Sequence, residues 1–197
     1  MEPQLRLILA SASPRRRELL AQAGIPFEVV APTIAELDEV VSNLTPPQRA
    51  EALAFFKART VLDRDPERWV LGADTIVASG GQVLGKPRDR QHAKDMLSAL
   101  AGTRHAVITG LALLFPDGRR IASEITYVTM RKLSEQEIES YLDSGLWACK
   151  AGAYGIQEIG DRFVEHVEGS FSNVMGLPME LLDRMLRQAC GRVGDGR

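Results

Sequence analysis

The stretch Leu5 to Gly24, LRLILASASPRRRELLAQAG, most constrains what this chain can fold into, because it predicts a strand, a tight loop and a helix in immediate succession. Leu5, Leu7, Ile8 and Leu9 form an apolar run of strand length, and the small residues Ala10-Ser11-Ala12-Ser13 let the backbone turn. Ser13 suits an N-cap, Pro14 the first helical position and Gly24 the residue just past the helix end. Arg15-Arg16-Arg17 then stand in the first helical turn, where the helix dipole favours acids. Cations at that end, beside free amides and hydroxyls, outline an anion site; the plainer reading makes them surface charges. At about 100° per residue, Arg16 points toward the sheet, Arg15 lies beside it and Arg17 faces solvent.

The chain has 197 residues, enough for one domain or two tightly joined lobes. A net charge of -2 gives no footprint for general nucleic-acid binding, so any bound anion must be held locally. Cys149 and Cys190 stand far apart without a CxxC or Cys/His pattern, which suggests neither a disulfide framework nor a zinc site. No apolar run has the length of a signal peptide or a membrane span, so a cytoplasmic protein without a membrane partner is the expectation.

Further along, IPFEVVAP reads as a short strand, and the following acidic loop holds Glu36, Asp38 and Glu39. Thr45-Pro46-Pro47-Gln48 is a capping box opening a helix to about Leu62, with Leu53, Ala54, Ala58 and Val61 on its buried stripe. Lys57 falls on the same stripe; it either snorkels to water or points into a polar pocket. Trp69 to Ala73 and Ile76 to Leu84 suggest a hairpin interrupted near its start by Asp74, an expensive residue to bury unless it is paired or holds a cation. An acid beside Gly72 and Thr75 is a metal-ligand or general-base candidate, with a turn-forming Asp as the alternative. Lys86, in Gly85-Lys86-Pro87, is a second possible phosphate lysine.

A helix over 90–100, a long hairpin over 107–130 serving as scaffold, a capping-box helix from Ser134, a glycine-punctuated loop over 150–157, a strand over 163–167, a loop over 169–176 and a closing helix over 177–189 complete the pattern. Residues 191–197 read as a frayed tail. Cations with carboxylates suit phosphoryl chemistry, since cations offset polyphosphate charge while carboxylates hold a metal or activate water. The GxxxxGK[ST] and GxGxxG loops are both absent, and His92, His105 and His166 are not grouped as a triad or an HExxH site.

SASPRRRELL, GADTIV, GKP, KAGAYGIQ and EGSFSNVMGLP, in this order and spacing, resemble the Maf family of nucleoside triphosphate pyrophosphatases over roughly Leu5 to Leu186. The resemblance implies a single α/β domain over 1–197: a curved mixed β-sheet flanked by helices, two lobes with a central cleft, related to the inosine triphosphatase fold. It implies hydrolysis of a nucleoside triphosphate at the α-β anhydride with a divalent cation (Mg2+, Mn2+ or Co2+), and a homodimer. Asp74 matches the family's proton acceptor and a metal-site position; Ser13, Arg15, Arg16, Lys57 and Lys86 match its phosphate-handling positions, and Glu36 an acidic metal-site residue. AGAYGIQ resembles the subgroup acting on dTTP and UTP, whose specificity positions are matched by Arg16, Thr75 and Gln157; a Gln157 amide suits a pyrimidine edge. A 7-methyl-GTP enzyme and a non-catalytic nucleotide-binding regulator of cell division are the alternatives. One departure stands out: Gly102-Thr103-Arg104-His105 displaces the family's usual Gly-x-Thr-His threonine by one position.

Overall fold

The computed structural model describes residues 7–33, 41–116, 118–156 and 162–193, with backbone alone for 192 and 193. Glu36 and Gln157 therefore lie outside the described residues. Strands β1 (Leu7–Ala10), β2 (Phe27–Val29), β3 (Trp69–Ser79), β4 (Gln82–Leu84), β5 (Arg104–Phe115), β6 (Gly118–Met130) and β7 (Val164–Glu168) form one open mixed sheet. Its order is β2-β1-β3-β5-β6-β7, with β4 also pairing β3. β1 runs parallel to β2 and β3, and the remaining pairs are antiparallel. Helices are α1 (Pro14–Gln22), α2 (Pro46–Leu62), α3 (Arg90–Leu100), α4 (Glu135–Asp143), α5 (Phe171–Val174) and α6 (Met179–Val193).

Helix α2 covers one face of the sheet. Its contact stripe is Ala50, Ala54, Ala58 and Val61, all buried, while Leu53 is only partly buried. Ala54, Ala58 and Val61 are thus buried as the sequence suggests, with Ala50 in place of Leu53, and the reason lies in the sheet. A Cβ placed on Gly72 would fall 2.1 Å from the Ala54 carbonyl oxygen, and one on Gly110 would fall 2.3 Å from the Ala50 carbonyl carbon. Backbone packs on backbone there, and only alanines fit between. Lys57 is left at the margin of the contact, half-buried rather than in the stripe.

The opposite face carries two apolar clusters. One joins Leu19 and Leu20 of α1 and Leu181, Leu182 and Met185 of α6 to Leu7, Leu9, Leu71 and Leu111. The second joins Met96, Leu97 and Leu100 of α3 and Ile138, Tyr141 and Leu142 of α4 to Val77, Val107 and Val128. Ala73 belongs to the first cluster and Val77 to the second, so β3 passes beneath the seam between them.

Strand β3 corrects the expected interruption at Asp74, because the residue sits in an unbroken ladder opposite Gly110. The loop expected over 169–176 contains the four-residue α5, and the closing helix continues through Cys190 and Gly191 to Val193, beyond the expected tail boundary. Among the described residues, no helix is long and apolar enough to cross a membrane.

Gly110→Ala should lift α2 off the sheet and cost about 1–3 kcal/mol, as overpacking in a filled contact does. Urea unfolding midpoints of the two proteins measure it, and an unchanged midpoint would refute the close-approach explanation.

Candidate active site

A cleft opens where the sheet changes partners along one edge of β3. β1 pairs with β3 only as far as Ala10 opposite Gly72, and β4 begins only at Leu84 opposite Val77. Between them the β3 edge at 73–76 is uncovered on that side. The order β2-β1-β3 makes this the carboxyl end of neighbouring parallel strands whose connections diverge, the position where open α/β sheets bind ligands. The cleft measures about 710 Å3, and its walls include the Ser11–Arg16 loop, Lys57, Asp74, Thr75, Lys86, the Ala148–Ala151 turn, Tyr154 and the 174–176 turn.

Arg16 reaches the sheet as the helical angle predicts, and it is buried whereas Arg17 is exposed. Its Nε donates to the Gly176 carbonyl at 2.7 Å. Nη1 donates to the Ala73 carbonyl at 2.8 Å and to Ser11 Oγ at 3.1 Å, and Nη2 donates to Thr75 Oγ1 at 3.0 Å. A guanidinium has five N–H groups, so a single one on Nη2 is left for a ligand. Arg16 is chiefly a tie between the first loop, the uncovered β3 edge and the turn after α5. Burial lowers its pKa, and the nearby Asp74 opposes that shift. Gly176, at φ +104°, must be glycine: a Cβ would stand 3.2 Å from Thr75 Oγ1 and 3.5 Å from Arg16 Nε.

Asp74 and Thr75 are neighbours whose side chains leave opposite faces of β3. Asp74 lies on the α2 side, where Lys57 Nζ donates to its Oδ1. Burial is the largest influence on Lys57 and lowers its pKa; Asp74 raises it, and Arg16 and then Lys86 lower it further. Asp74 is the one carboxylate among the described lining residues, against Arg15, Arg16, Lys57, Lys86 and Lys150.

Ser13 and Arg15 line the first loop. The Ser13 amide donates to Ser11 Oγ at 3.2 Å, while its side chain makes no cap bond, so the expected N-cap is positional only. A Cβ on Gly155 would stand 3.0 Å from Arg15 Nη1 and 3.2 Å from Lys150 Cδ, so this glycine leaves room for both cations. The structure therefore brings Ser13, Arg15, Arg16, Lys57, Asp74, Thr75 and Lys86 to one cleft.

Sequence reasoning missed Ser11, Lys150, Tyr154 and Thr109. Lys150 and Tyr154 stand inside the KAGAYGIQ segment, and their chemical type beside glycines was the available signal. Thr109 belongs to the hairpin read as scaffold; it is fully buried, and its hydroxyl meets that of Thr75 at 2.9 Å. Tyr154 closes the far wall, its hydroxyl 2.6 Å from Nε2 of buried His105. The displaced Thr103 hydroxyl donates to the Leu100 carbonyl at 2.8 Å, and Arg104 pairs with Glu168, so neither enters the cleft.

The family model described as Maf-like protein matches residues 6–189. This chain belongs to the Maf family. A relative from Symbiobacterium thermophilum is 47% identical over 92% of this chain and 93% of its own length. One from Ruminiclostridium cellulolyticum is 41% identical over 92% of this chain and 95% of its own, and one from Hahella chejuensis 47% identical over 88% and 87%. Each of these relatives bears the name dTTP/UTP pyrophosphatase. Among solved structures, a nucleoside-triphosphatase / dITP/XTP pyrophosphatase from Mycobacterium abscessus covers 98% of this chain and 100% of its own, at 16% identity and a TM-score of 0.44. That likeness is too slight to carry functional argument.

Burial lowers the pKa of His105 from 6.5 to about 4. Protons therefore bind the unfolded chain more tightly in that interval. The stability His105 contributes is whole above pH 6.5 and is lost as pH falls toward 4. Between pH 7 and 4.5 the native protein should lose more stability than His105→Phe, as read from urea midpoints; parallel losses would contradict a buried neutral imidazole.

Proposed function

We propose that this Maf-family chain is a nucleoside triphosphate pyrophosphatase that hydrolyses dTTP and UTP, with modified pyrimidine nucleotides as further substrates, to the monophosphate and pyrophosphate. The observation that carries this reading is the pairing of one carboxylate, Asp74, with a surround of lysines and arginines in a nucleotide-sized cleft. Polyphosphate needs that cationic surround, and hydrolysis needs one base within it. The names of the relatives support the choice of pyrimidine.

In this mechanism Arg15, Lys57 and Lys86 take the phosphate oxygens, and the Ser13 hydroxyl adds a donor at the first loop. Asp74 accepts a proton from the attacking water as the P–O bond of the α-β anhydride breaks and pyrophosphate leaves. Before substrate arrives, the ion pair with Lys57 holds the Asp74 side chain in place. Phosphate oxygens then compete for the ammonium, which frees a carboxylate oxygen for water. The residues also fit a divalent cation that enters with the nucleotide, since magnesium commonly takes one or two carboxylates together with substrate phosphates. Asp74 would be its described ligand and Glu36 a second. No group of three or more His, Cys, Asp or Glu among the described residues could hold a metal by itself. When bound, the cation would offset phosphate charge. Gln157 reads the base in this proposal, and the active form is a homodimer.

Asp74→Asn should lower pyrophosphate release from dTTP by at least about 100-fold, the usual contribution of a positioned general base, while nucleotide binding persists. Full activity would remove Asp74 from the mechanism. Orthophosphate release without pyrophosphate would refute the choice of bond. Preference for 7-methyl-GTP in the same assay would move the enzyme to the purine subgroup, and binding without turnover would favour the cell-division regulator.

A further inference from the structure

The seam between the two apolar clusters is polar, and its hydrogen bonds can be assigned a direction. Thr109 Oγ1 lies 3.1 Å from the Asn173 carbonyl, which can only accept, so the Thr109 hydroxyl donates there. With its one hydrogen committed, Thr109 can only accept across the 2.9 Å contact from Thr75, so the Thr75 hydroxyl donates to it. Arg16 Nη2, a donor by nature, supplies the third bond, to Thr75 Oγ1 at 3.0 Å. Only one arrangement satisfies all three contacts: Arg16 to Thr75 to Thr109 to the Asn173 carbonyl.

The far end is held firmly. Asn173 and Thr109 are fully buried. The Asn173 Nδ2 group donates to the Val107 carbonyl at 3.0 Å and to Thr126 Oγ1 at 2.9 Å. The Asn173 amide takes the Ser170 hydroxyl as its acceptor at 3.2 Å. The carbonyl at the end of the chain is thus fixed in direction by bonds to β5 and β6.

We infer that Thr109 is a positioning residue for base selection: by accepting the Thr75 proton it leaves Thr75 facing the cleft as an acceptor only, beside the one unspent N–H of Arg16. This rests on the nucleotide reading of the cleft. A neighbouring acceptor and donor match the ring N3–H and adjacent carbonyl shared by uracil and thymine. Cytosine places a lone pair at N3 and would set it against the lone pair of Thr75. Specificity here comes as much from that repulsion as from the attraction, and its source is a residue that never touches the substrate.

The experiment compares UTP with CTP in wild type, Thr109→Val and Thr109→Ser, by kcat/KM for pyrophosphate release and by calorimetric binding. Valine keeps the branched shape but cannot accept the proton, so the Thr75 hydroxyl is free to turn into the cleft and donate to cytosine N3. The UTP-over-CTP preference should fall by roughly tenfold in Thr109→Val, the ratio for about 1.4 kcal/mol of mismatched hydrogen bonding, and return in Thr109→Ser. A purely structural role would lower both nucleotides equally. Equal losses, or failure of serine to restore the preference, would overturn the inference while wild-type turnover of UTP upholds the pyrophosphatase reading. A wild type that neither binds nor cleaves UTP would overturn both.

Discussion

The buried guanidinium of Arg16 is the interaction on which the cleft depends. Removing a cation from water is costly unless its hydrogens find partners, and burial indeed lowers this arginine's pKa. Carbonyls of Ala73 and Gly176 and hydroxyls of Ser11 and Thr75 supply those partners. They come from the first loop, the uncovered edge of β3 and the turn after α5. Without Arg16, the β3 edge and the turn would lose the partner of the Ala73 and Gly176 carbonyls at a gap in the sheet. A single planar, multi-donor side chain closes the three together, a task that the point charge of a lysine could not perform. Arg16 therefore sets the distance between the first loop and the wall opposite it.

A second constraint acts on the other face and comes from small residues. Gly72 and Gly110 let the backbone of α2 rest on β3 and β5 across an alanine stripe. Asp74 is two residues from Gly72 and opposite Gly110, so the same close approach that seats the helix brings Lys57 to its carboxylate. A bulkier interface would hold the helix farther out and strand a part-buried acid without a partner. The packing of α2 and the pairing of Asp74 with Lys57 are one arrangement.

Much of this was legible locally. The direction of Arg16, the solvent exposure of Arg17, the capping boxes at Thr45 and Ser134 and the candidacy of Asp74 all follow from helical angle, side-chain chemistry or spacing within a few residues. Readings that failed needed a distant partner. Asp74 looked like a break because its strand neighbour, Gly110, is 36 positions away by numbering, and only that pairing reveals a continuous ladder. The α2 stripe was legible at Ala54, Ala58 and Val61, but Leu53 stood in it where Ala50 belongs, since the contact at Ala50 is set by Gly110 on another element. Thr109 read as an ordinary β-branched scaffold residue; its meaning comes from Thr75 and Asn173, which the sheet and α5 bring to it from elsewhere in the chain.

The division of labour between the two faces of β3 follows from the strand itself. Successive side chains leave opposite sides, so the adjacent residues Asp74 and Thr75 reach separate environments while both remain at the uncovered edge. Asp74 meets a cation on a helix that packs through alanines, where charge can be held close to water. Thr75 meets the Thr109 hydroxyl and the Arg16 guanidinium at the seam between the two apolar clusters, where its hydrogen bonds are directional. On the proposed mechanism, proton transfer would use the first setting and discrimination between similar bases the second. An interrupted strand at Asp74, as the sequence alone suggests, would have separated these two roles; a continuous strand at the edge of a gap holds them one residue apart.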